Sequence, residues 1–193
     1  LGDDVDATRD LDLCAALELD ELRPRLPADW RPDPRLPHRW RSADGTLVDL
    51  LPAGPAVLAA GELRWPDGSV MDMTGLDLAM RDAAPLGAPL PDQVRVASLR
   101  ALFVAKVAAW NDRPAERPRD LADLAAILRH YPRDDDRLFG DPALDPERAF
   151  DERPAFLLGR DLAPLLGDAQ RQLLQRFVDA CRRAPEDARL AAA

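Results

Sequence analysis

The sequence is poor in residues that cross-link small proteins or bind zinc. Two cysteines, Cys14 and Cys181, cannot form a disulfide framework within a chain of 193 residues. No cluster of Cys and His has the spacing of a zinc site. No apolar run approaches the roughly 18 residues that a membrane-spanning helix needs. These features exclude a disulfide scaffold and a zinc module, and they favour a cytoplasmic protein without membrane spans.

Lysine is almost absent. The chain contains one lysine, Lys106, compared with 25 arginines, 28 aspartates and 7 glutamates, and its formal net charge is −9. Such an acidic chain is not a general nucleic-acid coat, because phosphate binding requires an excess of positive charge. The excess of Ala, Arg, Asp and Pro is typical of a GC-rich bacterial gene. Much of the aspartate content therefore reflects composition, and the exceptional Lys106 carries more information.

The first half of the chain predicts short strands with few helices. Residues 8–13 alternate polar and apolar side chains, which predicts a half-buried strand with Leu11 and Leu13 on one face and Asp10 and Asp12 on the other. Asp44-Gly45 separates two strand-like runs, 38–42 and 46–51, and predicts a hairpin. Further elements are expected as follows: a helix over 14–26, a Pro-rich irregular segment over 27–37, strands over 56–65, 68–73 and 93–97, and a helix over 75–83.

The second half of the chain is mostly helical in pattern. Ser98 predicts the N-cap of a helix that runs to about Asn111. The apolar stripe of this helix is expected to comprise Leu99, Leu102, Phe103, Lys106 and Trp110. A second helix over 119–131 is expected to bury Leu121, Leu124 and Leu128, and further helices are expected near 147–159 and 168–183, with a loop over 132–146.

These patterns together predict an α+β protein with a boundary near residue 92. Residues 1–92 are expected to form a small mixed β-sheet flanked by helices. Residues 93–193 are expected to form a mostly helical region.

Three aspartates on neighbouring strands are candidate metal ligands. Asp10 and Asp12 are two residues apart on one strand, so their side chains point the same way. Asp49 lies in the apolar run 47–51, where a carboxylate is costly unless a cation or hydrogen bonds compensate it. Three such carboxylates can hold two Mg²⁺ ions about 4 Å apart, which suits phosphoryl or nucleotidyl transfer. The alternatives are a solvated strand face and Asp72 as the third acid.

Two residues of the helical half are candidates for the same chemistry. Lys106 lies in an apolar stripe, where a lysine is rare unless it is paired or functional, and an ammonium suits contact with phosphate. The alternative is a side chain that extends along the helix to solvent. Asp120 lies near the start of the next helix, where its alternative role is to stabilise the helix end.

Four segments in a fixed order carry a resemblance to a known family. They are Thr8-Arg9-Asp10-Leu11-Asp12, Val48-Asp49-Leu50-Leu51-Pro52, Lys106 followed by Ala109-Trp110-Asn111-Asp112-Arg113, and Arg119-Asp120-Leu121-Ala122-Asp123-Leu124. This set resembles the nucleotidyltransferase family of AbiEii/AbiGii-type toxins, which belongs to the DNA polymerase β-like superfamily. The likeness spans about residues 8–131, and its specificity comes from the order and spacing of motifs that are each weak.

The resemblance implies a Mg²⁺-dependent nucleotidyltransferase and a role for each motif. Asp10, Asp12 and Asp49 would hold the metal, and Asp49 would be a candidate base for the attacking hydroxyl. Asp120 would be a further catalytic acid near the nucleotide or the acceptor. Lys106, Arg113 and Arg119 would bind the phosphates of an NTP, whose α-phosphate is attacked while pyrophosphate leaves.

One family element has no counterpart at the expected distance. The family carries a Gly-Ser or Gly-Gly pair upstream of the Asp-x-Asp strand, at a helix start that cradles phosphate. Leu1-Gly2 is too close to Asp10 to be that pair, and because the chain begins at Leu1 rather than Met we expect native residues to precede it. If the pair is missing, a nucleotide- or partner-binding pseudoenzyme is the alternative. A small-molecule adenylyltransferase is a further alternative.

The resemblance also implies partners. Family toxins modify RNA, notably tRNA ends, and act beside an antitoxin in toxin–antitoxin or phage-defence systems. Residues 23–41 interleave six arginines with Trp30 and Trp40, a pattern that can follow phosphates and stack bases. The alternative for this segment is a Pro-rich surface loop with salt bridges to Asp29 and Asp33.

Overall fold

The structure is a computed structural model that describes residues 10–132, 135–142, 144–145 and 147–183. The chain divides into two compact units, with the division between Met73 and Thr74. Both strands and helices are present, so the prediction of an α+β protein is confirmed. Thr8 and Arg9, with which the predicted first strand begins, lie outside the described residues.

A four-stranded sheet organises the first unit. Its strands are β1 (Asp10–Ala15), β2 (Arg31–Pro32), β3 (Arg39–Arg41) and β4 (Leu47–Pro52), in the order β1-β4-β3-β2. β1 runs parallel to β4, whereas β3 is antiparallel to both β4 and β2. The hairpin predicted at Asp44-Gly45 is confirmed, and Gly45 takes the positive φ of 90° that this turn requires.

The core of the first unit lies on one face of β4. Val48 and Leu50 are buried there, and Leu22 of the short helix α1 (Leu19–Leu22) packs with them. The predicted burial of Leu11 and Leu13 is wrong, since their exposed fractions are 49% and 37%. Among the described strands β1 pairs only with β4, so it lies at the edge of the sheet, where its apolar face receives less cover.

Two predictions for the first unit fail because proline and glycine residues start or end elements inside segments that the hydrophobic periodicity treats as continuous. The helix expected over 14–26 is reduced to α1 and a 3₁₀ turn at Arg23–Arg25, which contains a proline. The strand expected over 56–65 is instead the helix α2 (Pro55–Ala60) followed by β5 (Glu62–Arg64). Pro55 at the first helical position and Gly61 in the left-handed conformation delimit α2. β6 (Val70–Asp72) pairs antiparallel with β5, as expected for the strand over 68–73.

The second unit is built from helices with one small hairpin. Its elements are α3 (Leu76–Arg81), β7 (Ala83–Pro85), β8 (Arg95–Ala97), α4 (Leu99–Asp112), α5 (Pro118–His130), α6 (Asp135–Gly140), α7 (Arg153–Leu162) and α8 (Asp168–Arg183). β7 and β8 pair antiparallel. The helices near 75–83, 99–111, 119–131 and 168–183 are confirmed. The loop predicted over 132–146 is wrong in part, because α6 lies within it.

The buried face of α4 differs from the predicted stripe. The Ser98 hydroxyl accepts a hydrogen bond from the Ala101 amide at 3.1 Å, which confirms the predicted N-cap. The buried side chains of α4 are Ala101, Phe103, Val104, Val107 and Ala108. Leu102, which belongs to the predicted stripe, is 37% exposed. Small alanines line the buried face because several helices pack closely on α4, and a pattern of large residues does not detect them.

A network of paired charges joins α6 to α7 and to the end of α5. Asp161 accepts a hydrogen bond from the Tyr131 hydroxyl at 2.6 Å and from Arg137 at 2.9 and 3.1 Å. Arg160 binds both carboxylate oxygens of Asp141 at 2.5 and 2.6 Å. Burial favours protonation of Asp161, but the hydrogen bonds from Arg137 and Tyr131 outweigh it and lower the pKa of Asp161. The network is a structural one, since each acid faces an arginine.

No helix in the described part of the chain combines the length and the apolar character that crossing a bilayer requires.

We expect Asp161→Asn to lower the free energy of unfolding by about 2 kcal/mol at neutral pH, because it removes the closest carboxylate of the half-buried Arg137 and leaves it with the more distant Asp141, at 3.5 Å. Because the pKa of Asp161 is lowered in the folded state, its contribution is present above the unfolded pKa of about 3.9 and is lost as the pH falls through the folded value. Urea unfolding followed by helical circular dichroism measures both effects.

The exposed Asp151 provides the matched control for this measurement. Asp151→Asn should change the free energy of unfolding by less than about 0.5 kcal/mol. Equal losses for the two variants, or a loss for Asp161→Asn that persists unchanged at pH 2, would contradict the assignment.

Candidate active site

Three carboxylates lie on one face of the sheet in the first unit. Asp10 and Asp12 alternate with leucines along β1, and the parallel register places Asp12 directly beside Asp49 on β4. Neighbouring strands are about 4.8 Å apart, so side chains at paired positions are neighbours on the same face. The Asp49 side chain is only 13% exposed and that of Asp10 is 31% exposed. The geometry therefore groups the three aspartates that the strand patterns single out.

An arginine of residues 23–41, the segment predicted to follow phosphates, compensates two of these acids. Arg39 of β3 donates from Nε to Asp49 Oδ1 and from Nη2 to Asp49 Oδ2, both at 2.7 Å. The same Nη2 donates to Asp10 Oδ2 at 2.7 Å. The hydrogen bond with Asp49 raises the pKa of Arg39 above its already high value. The expected need of Asp49 for a compensating cation is thus met within the protein.

The predicted hairpin contained the signal for this contact. With Asp44-Gly45 at the turn, β3 and β4 pair so that Arg39 lies opposite Asp49. Counting residues outward from the turn therefore places a guanidinium beside the acid. His38, the preceding residue, has its Nε2 atom 3.8 Å from Asp49 Oδ2 and is 19% exposed.

The donor chemistry of this face suits a hard divalent cation. Carboxylate oxygens are the ligands that Mg²⁺ prefers, and three carboxylates lie on the adjacent strands β1 and β4. Within the described residues, however, no three Asp, Glu, His or Cys side chains are already positioned as a metal-binding group. The residue types fit the ion, while the hydrogen bonds of Asp10 and Asp49 are directed at Arg39. Asp72, the competing third acid, lies at the end of β6 in a separate two-stranded sheet.

A cavity of about 430 Å³ lies elsewhere in the first unit, between α1 and the β5–β6 hairpin. Its lining combines Glu18, Asp20, Arg23 and Arg64 with apolar side chains, and it does not include Asp10, Asp12 or Asp49. Its mixed charges give it no clear preference for an anion or a cation.

Lys106 and Asp120 come together in the second unit, where α4 packs on α5. Lys106 Nζ is 3.2 Å from Asp120 Oδ1 and 2.5 Å from Asp123 Oδ2. Asp120 is 12% exposed at its side chain, whereas Asp123 is 52% exposed. Burial opposes the charge of Lys106, but the carboxylates of Asp123 and Asp120 outweigh it and raise its pKa. Lys106 is therefore a charged, paired lysine. Its partner Asp123 belongs to the fourth segment of the resemblance, in which the family likeness implies no role for this residue.

The two predicted phosphate-binding arginines lie in other surroundings. Arg113 follows α4, where its nearest acids are Asp112 at 3.1 Å and Glu116 at 3.9 Å. Arg119 is exposed in the first turn of α5. The arginine that reaches Asp120 is Arg117, at 3.5 Å.

We expect double-mutant cycles to separate the two partners of Lys106. The cycle of Lys106→Met with Asp120→Asn should give a coupling of about 1–2 kcal/mol in the free energy of unfolding, because Asp120 is shielded from water. The cycle of Lys106→Met with Asp123→Asn should give less than about 0.5 kcal/mol, despite the shorter distance, because Asp123 is exposed. Equal couplings would show that distance rather than burial decides the strength of this cluster.

Comparison with known protein families identifies the family to which the chain belongs. The family model described as "Nucleotidyl transferase AbiEii toxin, Type IV TA system" matches residues 71–193, which is well over half of the chain. The match contains Lys106, Arg113, Arg119 and Asp120, and it begins after the sheet that carries the other three acids. Comparisons with curated proteins and with solved structures give no significant match. The chain belongs to the AbiEii family of nucleotidyl transferase toxins of type IV toxin–antitoxin systems.

Proposed function

We propose that this nucleotidyl transferase moves a nucleoside monophosphate from an NTP to a hydroxyl acceptor and uses Mg²⁺ for the reaction. The observation that carries the proposal is the common sheet face of Asp10, Asp12 and Asp49, with Asp12 beside Asp49 in the parallel register. Family membership supplies the reaction class. The carboxylates supply the ligand chemistry that such a reaction needs.

The residues of the sheet have separate tasks in this proposal. Asp10, Asp12 and Asp49 hold the ion, which when bound would neutralise charge on the triphosphate and orient its α-phosphate. Asp49 accepts the proton of the acceptor hydroxyl. The new bond joins the acceptor oxygen to the α-phosphorus, and the bond from the α-phosphorus to the bridging oxygen of pyrophosphate breaks.

The helical unit contributes charge of both signs. Lys106 contacts the phosphates of the NTP, and this requires its ammonium to exchange part of its contact with Asp120 and Asp123 for phosphate oxygens. Asp120 acts near the nucleotide or the acceptor. Arg113 and Arg119 are further phosphate partners, and the exposure of Arg119 leaves it accessible to a ligand.

RNA, in particular the end of a tRNA, is the acceptor that we propose. Support comes from family membership and from the arginines of residues 23–41. The stacking role expected for Trp30 and Trp40 loses support, because both side chains pack against the buried cluster around Leu22 and Val48. The expected salt bridges of this loop also take another form, since Asp33 accepts hydrogen bonds from the backbone amides of Arg35 and Leu36.

A cognate antitoxin is the second partner in this proposal, as the type IV toxin–antitoxin family implies.

A pseudoenzyme that binds a nucleotide or a partner is the second candidate function. One observation favours it: the ion pairs of Arg39 with Asp10 and Asp49 already neutralise the face that catalysis would use. Catalysis by the wild-type protein distinguishes the two candidates directly.

We expect the protein to transfer label from α-³²P-labelled NTPs to total RNA in the presence of Mg²⁺. Asp12→Ala should reduce the rate by at least about 10²- to 10³-fold, because it removes a carboxylate that acts where charge develops. Gel separation of the labelled RNA measures the rate.

Asp72→Ala is the matched control, since Asp72 is also an acid on a short strand but lies in a different sheet. It should keep the wild-type rate. If the wild-type protein transfers no label, or if Asp12→Ala transfers it as fast as the wild type, the proposed reaction is wrong.

A further inference from the structure

Arg39 occupies the position in which a cation would meet two of the three sheet acids. Its guanidinium engages both oxygens of Asp49 and one oxygen of Asp10, each at 2.7 Å. The Arg39 side chain is 24% exposed, so the contacts are partly shielded from solvent. A planar guanidinium that engages a carboxylate through two hydrogen bonds forms a strong and geometrically specific ion pair.

A divalent ion at the same carboxylates would compete with this guanidinium. Both cations use the same oxygen atoms, and two positive charges held by one pair of carboxylates repel each other in a partly shielded site. Metal binding at this face therefore depends on how readily Arg39 gives up its partners.

We infer that Arg39 is an internal competitor of the divalent metal, and that it sets the metal affinity of the sheet face formed by Asp10, Asp12 and Asp49. This inference rests on the proposed function, which places the metal at these carboxylates. Arg39 would affect the metal only through its ion pairs with the carboxylates of Asp10 and Asp49. The metal-free protein remains folded with its acids compensated, and the ion enters only where its binding outweighs the ion pairs of Arg39.

Arg39 could in principle strengthen metal binding instead of weakening it. The test is therefore whether the metal affinity rises or falls when Arg39 is replaced. Arg39 holds Asp10 and Asp49 close together, so it would act as an organiser if the ion bound beside it. An organiser would weaken metal binding when removed. A competitor would strengthen metal binding when removed.

Isothermal titration of the full chain with Mn²⁺, in the absence of nucleotide, measures the affinity. We expect Arg39→Met to lower the Kd for Mn²⁺ by about 10-fold or more, since a neighbouring charge changes the binding of a cation at a carboxylate by one or more orders of magnitude. Arg39→Lys should have an intermediate Kd, because a lysine keeps the charge but lacks the planar fork.

Arg41→Met is the matched control for the loss of charge. Arg41 lies two residues further along β3, and its guanidinium donates to the carbonyl of Gly45 at 2.9 Å. This variant should change the Kd by less than about twofold, because the charge that it removes is exposed and screened. Circular dichroism establishes that each variant is folded, and Arg39→Lys remains informative if Arg39→Met does not fold.

The outcomes separate this inference from the proposed function. If the wild type binds Mn²⁺, Asp12→Asn abolishes the binding, and the two Arg39 variants bind as the wild type does or more weakly, Arg39 is not a competitor although the metal site stands. If Arg41→Met strengthens binding as much as Arg39→Met, the effect is one of general charge and the inference is overturned. If no variant binds Mn²⁺, the metal site and the inference are both overturned.

Discussion

Carboxylates that leave water need a compensating cation, and this constraint organises both units of the protein. Asp49, Asp120 and Asp161 have side chains that are 12–14% exposed, and each meets a cation from another element. Arg39 joins β3 to β4 and β1, Lys106 joins α4 to α5, and Arg137 joins α6 to α7. Because an unpaired charge in such surroundings is costly, each pair also fixes the alignment of the elements that carry it.

The same constraint connects the fold to the chemistry of the family. A nucleotidyl transferase acts on a triphosphate, a ligand of high negative charge that attracts cations. In the structure the cations next to the candidate acids already have carboxylate partners, so the proposed binding of phosphate or metal would require an exchange of partners. The energy of a bound ligand is then offset in part by the ion pairs that it replaces.

The fold could be predicted from the sequence where local signals were strong. Ser98 caps α4 as expected, and the strands on either side of Asp44-Gly45 pair as the predicted hairpin. The prediction fails at α2, where Pro55 and Gly61 delimit a helix in the segment 56–65, for which the sequence pattern predicts a strand.

The face of α4 also escaped prediction. Its buried side chains include Ala101 and Ala108, and the periodicity of large apolar residues gives no weight to alanine. The depth at which a helix is buried depends on the neighbours that pack around it, and these are set by contacts distant in sequence.

For the candidate site, the sequence by itself singled out the candidate residues, which are the Asp-x-Asp pair, the acid in an apolar strand and the solitary lysine. It also gave the likeness to a toxin family that the family match confirms. Only the tertiary structure decided their partners. The parallel pairing of β1 with β4 sets Asp12 beside Asp49, and the packing of α4 on α5 gives Lys106 two carboxylates. The reason is physical: periodicity reports which face of an element is apolar, whereas the pairing of elements depends on long-range contacts whose register no local pattern contains.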